Sequence, residues 1–448
     1  MVFHLRFILD SFGQLSMSFA ISTAEDHLLK SRSDFLFPSE TLVRDGTISS
    51  PARSGAHPIP FERGSRPIAF LVALLCMSLA GTAQSKDRMA LLDTDLPEYQ
   101  AQNVTASHDH GYVMPDGSLR IVGFDDMSGV VAKWDEEFTK THPGIRFTPI
   151  LNGNGTAIPA ITYDMAIFAP EGGGATLLEL LPYEKIYGSK KDPVAALIIR
   201  VGHGSLNPAA KMSPLGIIVN KSNPIKSLTK EQVASIFSTG SGNGDVTNWS
   251  QIGMSGELAD KPIHSTGLYW DAYNRPEDPY MGEYMMYRQM GPFPGAVFSQ
   301  NYEQYVHYSD VVKKVAGDPL AIGIIALNKA ETSVRVVPLV ESDGHTISTG
   351  SAQDLIADRY PYERDLYIYV RREPGTPLDP VVKEYMRLVL SRQGQEAIAQ
   401  DAKGYLPLNA EDVKHELEKL DAAETWAPRS KQGPMLNFPF PSPEPEGK

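Results

Sequence analysis

Residues 215–237 read Leu215-Gly216-Ile217-Ile218-Val219-Asn220-Lys221-Ser222-Asn223-Pro224-Ile225-Lys226-Ser227-Leu228-Thr229-Lys230-Glu231-Gln232-Val233-Ala234-Ser235-Ile236-Phe237. The opening apolar run suits a short strand buried on both faces. Asn223-Pro224 ends it. Thr229 and Gln232 then stand at capping-box spacing, and Val233, Ile236 and Phe237 follow on one helical face.

The same alternation continues on both sides. Upstream, residues 119–122 form a strand candidate and Gly123-Phe124-Asp125-Asp126-Met127 a turn. Val130, Val131, Trp134 and Phe138 recur at helical spacing, and His142-Pro143-Gly144 stops that helix before a second strand over 145–151. Strand, helix and strand in this order make the unit of a sheet with helical crossovers. Further strands are predicted at 164–169, 195–201, 262–266, 321–326, 334–339 and 366–370, and helices at 280–289 and 309–316. Asp379-Pro380 supplies an N-cap and an N1 proline for a long helix striped by Val382, Tyr385, Met386, Val389 and Leu390. The fold class is therefore α/β.

Composition narrows the function. The chain has 448 residues, is 42% hydrophobic, and carries 41 Lys plus Arg against 54 Asp plus Glu, a net charge of −13. It can build a core, and its acidity argues against a nucleic-acid partner, which needs cations to displace counterions. Arg63 and Arg66 precede an apolar run over 68–79, and Gly81-Thr82-Ala83 follows, the order of a secretory signal peptide. Residues 67–83 are accordingly expected to be a signal peptide cut after Ala83. Residues 1–66 look polar and unpatterned and are expected to be a non-native upstream extension or disordered. Seven basic and seven acidic residues precede Pro67 and none lies in 67–83, so the mature chain keeps −13. The only cysteine, Cys76, falls inside the apolar run, so the mature fold stands without disulfides. The expected location is periplasmic or secreted, with no stable membrane insertion. Residues 84–117 read as a linker, in which His108-Asp109-His110 is a weak metal candidate. Residues 411–448 read as a helical end followed by a Pro-, Glu- and Ser-rich disordered tail.

From Ser118 to Leu408 these elements resemble, in order and spacing, the phosphate-type periplasmic solute-binding proteins of ABC transporters, with a type II periplasmic-binding-protein-like fold. The likeness rests on residues 215–237, Asn248-Trp249, Gln251-Ile252-Gly253, Asp318-Pro319, Ala321-Ile322-Gly323, Tyr360-Pro361, Gly394-Gln395-Glu396 and Gly404-Tyr405-Leu406-Pro407-Leu408. It implies two lobes, each a mixed sheet flanked by helices, joined by two crossovers: lobe 1 from 118–212 and 366–410, lobe 2 from 213–365. It further implies a small-molecule or anion ligand in the interlobe cleft, an ABC permease as partner, no cofactor, no metal and no catalysis.

The resemblance places the ligand at four loops. The first is Gly123-Phe124-Asp125-Asp126, which keeps Asp125 but lacks the family's hydroxyls. The second, Gly153-Asn154-Gly155-Thr156, is preserved. The third, after residues 164–167, offers only Glu171. The fourth, Gly267-Leu268-Tyr269-Trp270-Asp271-Ala272-Tyr273-Asn274, lacks the family's Arg and hydroxyls. The candidate ligand residues are Asp125, Asn154, Gly155 and Thr156, then Phe124, Glu171, Trp270 and Asp271. Carboxylates at Asp126 and Asp271 repel a dianion, and Phe124, Phe168, Tyr269, Trp270 and Tyr273 suggest a cleft remodelled for a neutral, cationic or stacking ligand. Phosphate stays open through Arg275 or Lys261. Two rivals remain: an exported interaction or signalling module reusing the fold without transport, and, more remotely, a hydrolase suggested by His203-Gly204-Ser205.

Overall fold

The computed structural model describes residues 2–9, 15–22, 88–175, 177–187, 196–239, 245–270, 274–281, 297–340, 345–372 and 376–422. Residues 1–65 form a unit of their own. In it Val2–Leu9 and Leu15–Ser22 pair antiparallel, Val2 opposite Ser22. This corrects the expectation of an unpatterned extension: Phe3, Phe7, Ile8, Phe19 and Ile21 are strand formers. The signal segment 67–83 and the tail beyond Ala422 lie outside the described residues.

In the larger unit, β1 (Leu119–Gly123), α1 (Ser128–Thr141), β2 (Phe147–Leu151), α2 (Ala157–Thr162), β3 (Ala169–Gly172), α3 (Leu177–Tyr187) and β4 (Leu197–Ser205) come first. Then follow β5 (Leu215–Asn220), α4 (Lys230–Phe237), β6 (His264–Leu268), β7 (Glu303–Tyr305), α5 (Tyr308–Gly317), β8 (Ala321–Ala326), β9 (Val334–Val336) and α6 (Ala352–Ile356). The chain closes with β10 (Leu366–Val370), α7 (Pro380–Val389), α8 (Arg392–Ala399), β11 (Tyr405–Leu406) and α9 (Ala410–Ala422).

The first sheet runs β11-β4-β10-β3, and β1 joins β3 through Phe124 N–H to Pro170 O and Ile167 N–H to Arg120 O, with β2 parallel outside. The second runs β7-β6-β8-β5-β9. In each sheet the strand that follows a crossover is antiparallel to both its neighbours, β10 in the first and β5 in the second; in the first sheet β4 is too, because the short edge strand β11 pairs antiparallel with it. Strands β5 and β10 are reached directly from the two crossovers, residues 206–214 and 357–365. A chain entering a lobe from the cleft side runs against strands that end there, so both lobes acquire one pattern.

Two cores match the two sheets. One gathers Trp134, Phe138, Phe168 and Tyr385, the other Ile218, Phe237, Trp249 and Ile324, all fully buried. The Thr229–Gln232 capping box forms as expected, and Asp379 accepts from the Val381 and Val382 amides beside Pro380. Strand 164–169 is corrected to Ala169–Gly172. Asp164 has φ +59°, and Arg120 Nε holds Met165 O, so residues 165–168 first run beside β1. Residues 88–117 are not a free linker either. Arg88 donates to Ala399 O and Asp401 O, Tyr99 Oη to Glu384, Tyr112 Oη to Asp379, and Leu96 and Tyr112 enter the first core.

Asp135 on α1 accepts from Tyr385 Oη at 2.7 Å. Burial pushes its carboxyl up to about 7, and the tyrosine bond offsets only part of that. A carboxyl raised above its unfolded pKa costs stability as pH climbs from about 4, and the cost is complete above about 7. Asp135→Asn is therefore expected to melt with the wild type at pH 4 and several degrees higher at pH 8. Coincident calorimetric melts at pH 8 would refute it.

Candidate functional site

The lobe-1 rim is built by backbone packed against backbone. Phe124 N–H donates to Pro170 O, and Gly153 N–H to Gly123 O. Asn154, buried, clamps Gly172 from both sides: Nδ2 donates to Gly172 O at 2.7 Å, and Oδ1 accepts from Gly172 N–H at 3.0 Å. Asn154 thus shapes the rim. Thr156 Oγ1 donates to Gly153 O at 2.7 Å. Gly155 faces lobe 2, where a Cβ would lie 3.6 Å from Tyr280 Oη.

The remaining sequence candidates sit differently from one another. Asp125 pairs with Lys211 of the first crossover. Phe124 is corrected from a stacking surface to a core residue: 4% exposed, it packs over Gly172 beside Met212, on the inward side of the sheet. Phe168 is fully buried in the same core. Glu171 is buried within β3, opposite Tyr367 of β10, and so faces no open cleft. Trp270 is half exposed at the end of β6. Asp271 and Tyr273 lie outside the described residues. The repulsion expected from Asp126 is also corrected. Its carboxylate is buried and receives Lys211 N–H, Tyr405 Oη and Lys403 Nζ, which tie the rim to the first crossover.

The cation missing from the four loops comes from the second crossover. Arg364 is 2% exposed and ion-pairs in a fork with Asp278 of lobe 2 at 2.5 and 3.4 Å. Its Nε lies 3.7 Å from where a Cβ of Gly173 would stand. Gly173 and Gly174 both have positive φ, which glycine adopts without strain, and Met212 Sδ lies against the same turn, 3.2 Å from a Cβ at Gly173. Tyr308 Oη donates to Asp278, and Tyr308 N–H at the start of α5 donates to Glu277. Loop 274–281 therefore brings two carboxylates to the cationic groups of the cleft. Sequence reading missed Arg364 because it stands almost a hundred residues beyond the fourth loop. The only signal was a charge beside an apolar strand.

Side chains alternate along the extended crossover. Arg364 turns to the cleft, while Glu363 and Asp365 turn to the opposite side, against His203 of β4. Burial alone would lower the His203 pKa, but the facing Asp365 and Glu363 carboxylates outweigh it and hold it above the ordinary range. Burial and the neighbouring Asp365 push Glu363 up to about 8.

A cavity of about 500 Å³ lies away from the crossovers, on lobe 1 between the 102–112 segment and α7. Its charges are committed: Arg371 to Asp164, Lys383 to Asp421, and Glu384 to Tyr99 Oη and Gln102 N–H. Arg364 is paired too, with Asp278, but it stands where the second crossover meets lobe 2.

Residues 209–393, spanning the first crossover, lobe 2, the second crossover and β10, match the family model of the PBP superfamily domain. The chain is 29% identical over 353 residues to the phosphate-binding protein PstS of Pseudomonas aeruginosa, covering 78% of this chain and 98% of that protein. Among solved structures, PstS from Borrelia burgdorferi is similar at 17% identity with a TM-score of 0.42, covering 64% of this chain and 98% of that one. An ABC-type phosphate transport receptor from Vibrio cholerae is similar at 17% identity with a TM-score of 0.39, covering 64% and 98%. Among the described residues no helix is long and apolar enough to cross a membrane.

Proposed function

We propose that this chain is an exported, non-enzymatic receptor for a small oxyanion of the phosphate class, periplasmic in location, that delivers its ligand to an ABC permease. Arg364 carries the reading. A buried guanidinium beside a glycine turn, on the segment joining two lobes, supplies a planar fork matched to an oxyanion. Net acidity does not oppose this, since the local donors and the poorly solvated setting set the field. Contact with both lobes at once would favour the closed arrangement. The kinship with PstS supports the same ligand class.

Calorimetric titration with phosphate, sulfate, molybdate and an amine tests it. Wild-type protein is expected to bind one oxyanion saturably and to melt higher as its concentration rises. Arg364→Met should weaken that binding by about tenfold or more, since a charge-assisted hydrogen bond contributes about 1.5–3 kcal/mol. A flat response to every oxyanion sinks the reading. It would select the second one, an exported interaction module, which one observation favours: Asp278 and Tyr280 already reach into the cleft from lobe 2.

A further inference from the structure

Behind the cleft, on the other face of the crossover, lies a second cluster that solute binding does not use. His203 lies two residues from the end of β4, just before the first crossover, and Glu363 and Asp365 flank Arg364 on the second. The ring of His203 is fully buried, and neither of its nitrogens makes a hydrogen bond. Nδ1 points at carboxylate oxygens: Asp365 Oδ1 at 3.3 Å and Glu363 Oε1 at 3.9 Å. The ligand atoms of all three residues lie within 4.8 Å of one another.

We propose that His203 Nδ1, Glu363 and Asp365 hold a divalent transition cation of the zinc type, which fastens the two crossovers together. Ligand atoms about 2.0–2.2 Å from a tetrahedral zinc stand about 3.4 Å apart. The His203–Asp365 separation already has that length, and a small turn of the Glu363 carboxylate closes the rest. One imidazole with carboxylates is a donor set for such a metal.

Charge supports the assignment. Asp358 and Asp412 also stand near His203, and both are spent on Arg200. Asp358 binds its guanidinium in a fork at 2.7 and 2.9 Å, and Asp412 binds it closely. Three carboxylates, Asp358, Asp412 and Asp365 itself at 3.7 Å, thus surround one guanidinium, an excess that a dication relieves. Because Arg364 stands between two of the ligands, the cation would fix the backbone that carries the cleft arginine.

The test is titration of the untagged full chain, stripped with EDTA, with Zn²⁺ alone, and with Co²⁺ as a spectroscopic substitute. One equivalent of Zn²⁺ is expected to bind and raise the melting temperature. His203→Gln and Asp365→Asn should each weaken binding by about 100-fold or more, while His110→Gln, which removes the competing His108/His110 pair, should leave it unchanged. Glu363→Gln, which keeps an acceptor for Gly204 N–H, serves if the other two fail to fold. In wild-type protein Co²⁺ should broaden the NMR signals of the His203 ring and spare those of His108 and His110, a readout that needs no variant. Absence of saturable Zn²⁺ uptake overturns the proposal. So does uptake that survives His203→Gln and is lost in His110→Gln.

Discussion

Arg364→Met is expected to lower unfolding stability by about 3–5 kcal/mol, the usual cost of removing one partner of a buried ion pair. Asp278, itself largely buried, would keep the Tyr308 hydroxyl and the Tyr280 N–H as described donors but no counter-charge in place of the guanidinium fork. The cost therefore belongs mainly to the stranded carboxylate. Adding Asp278→Asn should recover most of the loss, because a neutral amide needs no counter-charge. A double-mutant cycle from denaturant unfolding measures the coupling. If the single and double variants unfold alike, or if Arg364→Met melts with the wild type, the pair does not hold the crossover to lobe 2. Oxyanion titration of the double variant then separates stability from binding: it should fold and still bind weakly.

Gly123→Ala should cost at least about 3 kcal/mol, at the upper end of overpacking effects. An added Cβ would lie 2.1 Å from Pro170 O and 3.0 Å from Pro170 Cδ and N. Those are atoms of the adjoining strand, held by Phe124 N–H, so no flexible side chain can yield. Relief requires β1 and β3 to part, which also strains the Asn154 clamp on Gly172. Amide hydrogen exchange should show protection lost along β1 and β3 while the Ile218–Ile324 core of lobe 2 keeps its own. Gly117→Ala is the control: φ is +80° there, but nothing lies within 4 Å, so only the modest cost of a left-handed backbone applies. A Gly123→Ala melt within a degree of the wild type would show that the strands are not packed this closely.

The two effects mark different kinds of information. Gly123 was conspicuous in the sequence as part of a turn, yet its need for a bare Cα comes from Pro170, a residue on another strand. Thr229–Gln232 and Asp379-Pro380 were read correctly because capping acts within one turn of helix. Strands β8 and β10 were found to the residue because a short apolar run between breakers signals a buried strand locally. The start of β3 was misplaced because Arg120 and the β1 edge decide where residues 165–168 run. Two of the five aromatics expected in the cleft were misplaced for a similar reason. Phe124 and Phe168 alternate onto the inner face of the sheet, and alternation cannot say which face is inner until the neighbouring strands are known.

By itself, then, the sequence determined the kinds of element, their order and the α/β class, because hydrophobic period, caps and breakers act over a few residues, while the two lobes followed only from the family resemblance. Only the tertiary structure decided that Asp126 turns inward to Lys403 and Tyr405, that Arg364 of the second crossover pairs with Asp278 of lobe 2, and that His203 meets Glu363 and Asp365. Those groups are separated by 86 to 279 residues along the chain, and a charge acts through the space around it, which exists only once both crossovers are in place.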